Sequence, residues 1–297
     1  MVEGRRGSTA PVLALVFNAF VWGISWWPFR ILQDHGVHPL WSTFLIYTVS
    51  LAVLLAVRPS ALRGWGGQPL LWLLGVAAGL TNVGFNWAVT IGDVVRVVLL
   101  FYLMPAWSVL LAWAVLGERP TGAALLRLLL ALAGVAIVLH APGSGWPVPS
   151  GHADWLAIAG GFSFALTNVL LRRLHETPAA PRVLAMFGGG ALLAGAVASW
   201  GVLQGQLPAV PPPTLAWGVV ALLLAGSFLA SNIALQYGAA RLAAHTTALV
   251  MLSEVVFASL SSVAAGAAEL SMRTLLGGSL IVAAAAWSAW PSKQAGA

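Results

Sequence analysis

The chain has no cysteine among its 297 residues. Disulfides, thiolate nucleophiles, iron–sulfur clusters and Cys-based zinc sites are excluded from the start. Charge is the second scarcity: Asp, Glu, Lys and Arg make up 7% of the chain, against roughly 25% in soluble domains. The 14 basic and 8 acidic residues are too few to coat an aqueous globule, and a mean hydropathy of +0.90 requires an apolar surface facing lipid. A soluble enzyme or DNA-binding domain is ruled out. The net charge of +6 is explained by basic loops that orient a membrane protein, so nucleic acid is not an expected partner.

Several motifs are also missing. No GxSxG elbow occurs, since Gly23-Ile24-Ser25 lacks the following glycine, which argues against an intramembrane serine protease. Neither HExxH nor an intramembrane histidine cluster is present, so no metal is expected. Lys293 lies in the tail, leaving no intramembrane lysine for a retinal Schiff base. Without a P-loop the chain cannot be driven by ATP. These absences predict a non-enzyme with no cofactor, either a secondary carrier or a uniporter. A channel or lipid scramblase is the alternative mechanism.

What is present is a series of apolar runs, each about the 20 residues that cross a bilayer. Ten can be marked between Pro, Gly and charge: Pro11–Leu32, Leu40–Val57, Leu70–Ile91, Val94–Leu116, Gly122–His140, Trp155–Leu174, Arg182–Leu203, Leu215–Tyr237, Leu242–Gly266 and Leu270–Trp290. Arg5 and Arg6 precede an apolar stretch, but no A-x-A-like site follows, so a retained first helix is expected rather than a signal peptide. With a cytoplasmic N-terminus, Arg5, Arg6, Arg58, Arg63, Arg119, Arg127, Arg172, Arg173, Arg182, Arg241 and Lys293 fall inside, and Arg30, Arg96 and Arg273 outside. That asymmetry predicts a multi-pass protein of the bacterial inner membrane with both termini cytoplasmic.

The halves repeat. Residues 20–32 align with 162–174, setting Trp22 against Phe164, Ser25 against Thr167 and Arg30 against Arg172; Asn82 and Trp87 align with Asn232 and Tyr237, and Leu103 and Gly117 with Leu252 and Gly266. Two repeats of five spans enter the membrane from opposite sides, as inverted repeats do in transporters. The expected organisation is an all-α integral membrane protein with ten transmembrane helices: a cytoplasmic tail (1–10), a first repeat (11–141), an external Gly/Pro-rich linker (142–151), a second repeat (152–291) and a short cytoplasmic tail (292–297).

Leu103-Met104-Pro105, Leu116-Gly117-Glu118 and the Gly134-containing fifth span, in this order along residues 11–290, resemble the EamA repeat of the drug/metabolite transporter superfamily. The chain is similar to its exporters of aromatic and other neutral amino acids, the YddG-like group. The resemblance implies a central cavity among spans one to four and six to nine, spans five and ten at the periphery, alternating access and efflux. Where the first repeat has Pro105 the second has Glu254, so the second-half kink is expected to be absent or built differently.

Intramembrane polar groups mark the cavity best, since each costs free energy unless satisfied. Glu254 stands mid-span; it reads as a proton-coupling carboxylate, a counter-ion to a substrate ammonium, or a carboxyl tied to a neighbouring helix. His245, two turns earlier, is a second coupling candidate or an interfacial histidine. Asn82 with Asn86, and Asn232 with Gln236, form two i, i+4 amide stripes that either bind an amino acid's ammonium and carboxylate or hydrogen-bond between helices. Trp22, Ser25, Tyr102, Phe164, Thr167 and Tyr237 complete the candidate cavity, with ordinary helix packing as the other reading. Trp41, Trp65, Trp146, Trp155, Trp287 and Trp290 fit interfacial anchors. Gly75 with Gly79, and Gly188–Gly190, are expected to permit close helix approach. Pro28 and Pro105 are candidate hinges. A neutral amino acid is the expected substrate, with drugs or other small metabolites as the alternative; nucleotide sugars would need cavity Arg or Lys. Besides the lipid bilayer, a homodimer is a further association open to the chain.

Overall fold

The computed structural model describes residues 3–62, 65–92, 94–139, 149, 151–266 and 272–289. The linker residues 142–148 and 150, Glu269, and the tail with Lys293 lie outside the described residues, as do the side chains of Arg5, Arg6, Arg63 and Arg96. Among the described residues all regular structure is helical: α1 (Glu3–Ile24), α2 (Trp26–Asp34), α3 (Pro39–Val57), α4 (Pro69–Ile91), α5 (Val94–Phe101), α6 (Met104–Leu111), α7 (Gly122–Leu139), α8 (His152–Arg173), α9 (Ala179–Leu203), α10 (Leu215–Ala239), α11 (Ala244–Met251), α12 (Ser253–Ala264) and α13 (Met272–Ala289). Residues 3–10, expected as a tail, are thus part of α1.

Among the described residues eight segments are long and apolar enough to cross a membrane: Thr9–Asp34, Pro39–Val57, Pro69–Val89, Val97–Leu116, His152–Arg173, Ala179–Leu203, Leu215–Ala239 and Ala244–Ala264. The chain is a multi-pass membrane protein. The fifth and tenth expected spans are shorter apolar helices, Gly122–Val138 and Leu275–Ser288. At 1.5 Å per residue these reach about 20–26 Å, less than the ~30 Å hydrocarbon core.

Three spans are interrupted, and proline chemistry explains two of the breaks. Pro28 has no N–H for the Ile24 carbonyl, and the helix breaks at Ser25, where the Ser25 N–H bonds back to the Trp22 carbonyl at 3.1 Å. Pro105 similarly deprives the Phe101 carbonyl, and α5 gives way to α6 through a tighter turn in which the Leu103 N–H bonds to Leu100 at 3.3 Å. A Cβ on Gly161 of α8 would collide with that Phe101 carbonyl, so glycine there lets α8 close over the break. The third break, at Leu252 between α11 and α12, needs no proline: the Ser253 hydroxyl donates to the Val250 carbonyl at 2.7 Å, competing with helical bonding. The second-half kink is therefore present and built by other means.

Small residues set the helix contacts. Gly75 and Gly79 of α4 meet Gly189 of α9, where a Cβ on Gly79 would stand 2.6 Å from the Gly189 carbonyl oxygen. Helices α7 and α13 cross at a second such pair, a Cβ on Gly134 coming 2.6 Å from the Gly277 carbonyl. Helices α1 and α10 are tied by the wholly buried Asn18, whose amide donates to the Ser231 carbonyl at 2.9 Å and to its hydroxyl. The spans ending at Leu116 and Ala264 both close on a glycine with positive φ, Gly117 at 71° and Gly266 at 68°, a conformation glycine adopts without steric cost.

Gly189→Val is expected to lower stability by about 1–3 kcal/mol through overpacking, whereas Gly188→Ala, whose Cβ would meet nothing within 4 Å, should leave thermal unfolding in detergent unchanged. His38 precedes α3 and accepts the Leu40 N–H on Nδ1 at 3.2 Å, which demands a neutral ring; burial lowers its pKa below the usual 6.5. Its stabilising contribution is full above pH 6.5 and is lost as pH falls through the lower folded-state value. His38→Asn retains a capping side chain and should flatten that part of the stability–pH curve.

Candidate functional site

The interrupted spans converge on a central cavity. Its walls come from spans one to four and six to nine; none of its lining residues belongs to α7 or α13. Of the predicted cavity residues it gathers Trp22, Asn82, Asn86, Tyr102, Phe164, Thr167, Asn232 and Glu254. The cavity volume is about 80 Å³, well below the roughly 300–1,000 Å³ of pockets that bury drug-sized ligands. As it stands the cavity has room for water but not for a drug-sized solute.

Aromatic rings build two walls. On one, Trp22 stacks on Phe228 with centroids 4.5 Å apart, and Tyr47 meets Phe187 edge-on at 4.8 Å. On the other, Phe101 contacts Phe85 at 4.8 Å, Tyr102 at 5.9 Å and Phe164 at 6.0 Å. Such offset and edge-on pairs fix ring orientation, so the walls present flat apolar faces held by their neighbours. Met104, Met186 and Met251 fill the gaps between them.

Polar groups sit at defined points on these walls. The Tyr47 hydroxyl donates to Asn82 Oδ1 at 2.9 Å, while Asn82 Nδ2 donates to the Ala78 carbonyl at 2.8 Å. Asn86 donates to the Thr43 hydroxyl. Across the cavity Gln236 Nε2 donates to Asn232 Oδ1 at 2.9 Å, and both amides contact the Met186 sulfur, at 3.5 Å from Asn232 and 3.6 Å from Gln236. The stripes thus hydrogen-bond both within and between helices, and Asn82, Asn86 and Asn232 also line the cavity.

Glu254 occupies the first turn of α12, directly after the Leu252 break. The Tyr102 hydroxyl lies within hydrogen-bonding reach of its carboxyl group, and Tyr102 itself lies in the break between α5 and α6. The two interrupted spans thus meet, break to break, at a tyrosine–carboxyl pair. On its other side α12 packs on α1, where a Cβ on Gly23 would stand 2.8 Å from the Glu254 carbonyl oxygen.

Three predicted residues are not in the cavity. Ser25 turns its hydroxyl back to the Trp22 carbonyl at 2.7 Å, as a serine at a helix break does. Gln236 is buried behind Asn232. Tyr237, one residue on, points outward, 39% exposed, with the Arg241 guanidinium 3.9 Å above its ring. His245 begins α11, away from the cavity and within electrostatic reach of Glu118 and Arg127, which makes its coupling role the weaker reading. Tyr47, Met186 and Phe187 bring spans two and seven to the site and were missed. Of these only Tyr47 carried a signal, a hydroxyl in mid-span away from the interfacial belt.

Residues 9–140 match the EamA-like transporter family. The match runs from Thr9 within α1 through α7, a little under half of the chain. A comparison with curated proteins finds no match. Among solved structures, a protein crystal structure superposes with a TM-score of 0.78 over 94% of this chain and 96% of its own, at 22% identity; that likeness shows the fold.

Tyr102→Phe removes the hydroxyl facing Glu254 and is expected to cost about 0.5–1.5 kcal/mol. Glu254→Gln, which keeps an accepting oxygen, should cost less. Thermal unfolding of both variants in one detergent measures this, and a Tyr102→Phe protein as stable as the parent would show that the bond contributes nothing to joining the spans.

Proposed function

We propose that the chain is a secondary carrier of the EamA type that exports neutral amino acids, the aromatic ones foremost, by alternating access through the central cavity. In this reading the molecule has ten spans in two inverted repeats, with the arginine-rich end cytoplasmic. The repeat reading is supported by breaks at corresponding places in spans four and nine, by the positive-φ glycines that end both, and by the α7–α13 and α3–α9 contacts, each pairing equivalent helices.

The observation that carries the functional reading is the cavity's composition: one carboxylate, three amides and two facing aromatic walls, with no cationic side chain among its lining residues. A carboxylate complements an ammonium, amides serve either end of a zwitterion without the cost of a buried charge, and flat walls suit an aromatic side chain. The Glu254–Tyr102 bond would then be both recognition element and latch. A solute ammonium that takes the carboxylate releases Tyr102 and uncouples the two breaks. The three methionines favour a second reading, export of varied apolar drugs or metabolites, because thioether side chains adapt to many shapes.

Uptake of radiolabelled phenylalanine, tryptophan, threonine and alanine into proteoliposomes, with and without a proton gradient, tests this. Saturable uptake of the aromatic amino acids, reduced about tenfold or more in Glu254→Gln by loss of a charge-assisted contact, is the expected result. Competition by apolar cations with no amino-acid uptake would favour the second reading.

A further inference from the structure

Arg182 differs from the other described arginines. It lies near the start of α9, is 5% exposed, and its Nε and Nη1 have no hydrogen-bond partner among the described residues. A buried guanidinium is normally held in a fork of acceptors, because desolvating it unpaired is costly. Its surroundings supply more positive charge. Arg241 is close enough for its charge to act on Arg182. Glu118 sets its Oε1 opposite Arg172 at 3.6 Å and leaves Oε2 buried without a partner, and Arg172 also donates to the Ala240 carbonyl at 2.9 Å. The C-terminal end of α10 offers a partial negative charge, but its Tyr237 carbonyl is taken by Arg241 at 3.0 Å.

The register of the helices says where this group stands. Met186 is one turn further along the same face of α9, lines the cavity, and touches Asn232 and Gln236 of α10. Arg182 is therefore one turn from the cavity wall, toward the end where Arg172 and Arg241 gather, between α9 and the end of α10. Gln236 Oε1, in the same layer as Met186, is also buried and without a partner.

We propose that Arg182, with Arg241 beside it, forms an oxyanion site that takes a carboxylate or a phosphate group. The planar guanidinium suits two-point capture of such a group, and its Nε and Nη1 are the unpartnered donors that would make it. A solute carboxylate held there would stand one helical turn from the lining residues; this link to transport rests on the carrier reading, whereas anion binding does not.

The test is thermal unfolding of the purified, delipidated full chain in uncharged detergent, titrated with sodium acetate and with sodium phosphate against sodium chloride at constant ionic strength. A parallel arm uses vesicles of phosphatidylcholine with and without phosphatidylglycerol. The expected result is a saturable rise in unfolding temperature with an oxyanion. Its apparent affinity should fall about tenfold or more in Arg182→Met and less in Arg182→Lys. Arg182→Met should be at least as stable as the parent without oxyanion, since it removes an unpaired buried charge. A response to soluble carboxylate or phosphate assigns the site to a solute, and a response confined to phosphatidylglycerol vesicles assigns it to a lipid headgroup. Identical titrations of parent and Arg182→Met, or an Arg182→Met protein destabilised in all buffers with no oxyanion response in the parent, would overturn the site whether or not the protein transports amino acids.

Discussion

The constraint on which this molecule depends is that a backbone in hydrocarbon must satisfy its polar groups internally, and three of its spans interrupt their own ladders. Each break is tolerated because something replaces the lost bond or fills the space beside it. At Ser25 a hydroxyl turns back onto the helix; at Phe101 a glycine of α8 closes over the carbonyl; at Leu252 a serine hydroxyl takes the Val250 carbonyl. Irregular backbone at membrane depth survives where it is buried in protein or lines a cavity, and the breaks in spans four and nine do the second. The cavity and the interruptions are therefore one feature: without the breaks these spans would be continuous helices, and Tyr102 and Glu254 would not meet.

Much of this was legible in the sequence, and the reasons are physical. A lipid-facing helix needs unbroken apolarity over about 20 residues, so its ends are marked by Gly, Pro or charge; the runs marked at 40–57, 94–116 and 215–237 coincide with helical segments to within two residues. Proline's missing N–H made the breaks at Ser25 and Tyr102 predictable one turn upstream of Pro28 and Pro105. The Leu252 break was not predictable this way, because serine's effect depends on the rotamer it takes. Among site residues, polar groups in apolar spans announced themselves: Asn82, Asn86, Asn232, Tyr102 and Glu254 all reached the cavity. Apolar lining residues did not. Nothing separates Phe187 from a lipid-facing phenylalanine until α9 is seen packed against α3, and Tyr237 shows the converse error, a polar-tipped ring that faces outward beneath Arg241.

Replacing proline by glutamate at the corresponding place in the second half breaks the symmetry where it matters chemically. A proline acts on a span by what it cannot bond to, and its effect is permanent. A carboxylate acts by what it can bond to, and that bond is exchangeable. With Pro105 on one side and Glu254 on the other, span four lacks an N–H that could continue its ladder, while the span nine break sets a carboxyl against Tyr102 that is free to exchange partners.

The same bookkeeping distinguishes the arginines. Those at span ends, such as Arg172 and Arg241, spend their donors on the last carbonyls of α10, where cations belong. By sequence Arg182 looks like one of them, four residues after a proline at the start of a span. Its burial shows otherwise, since α9 carries it inward on the face that also carries Met186. Two facts about the site then share one cause: the α9 face that turns toward α10 contributes the sulfur against which Asn232 and Gln236 pack, and one turn away it contributes a cation with unused donors. Along this face of α9 the chain thus passes, within one helical turn, from a thioether that lines the cavity to a buried guanidinium.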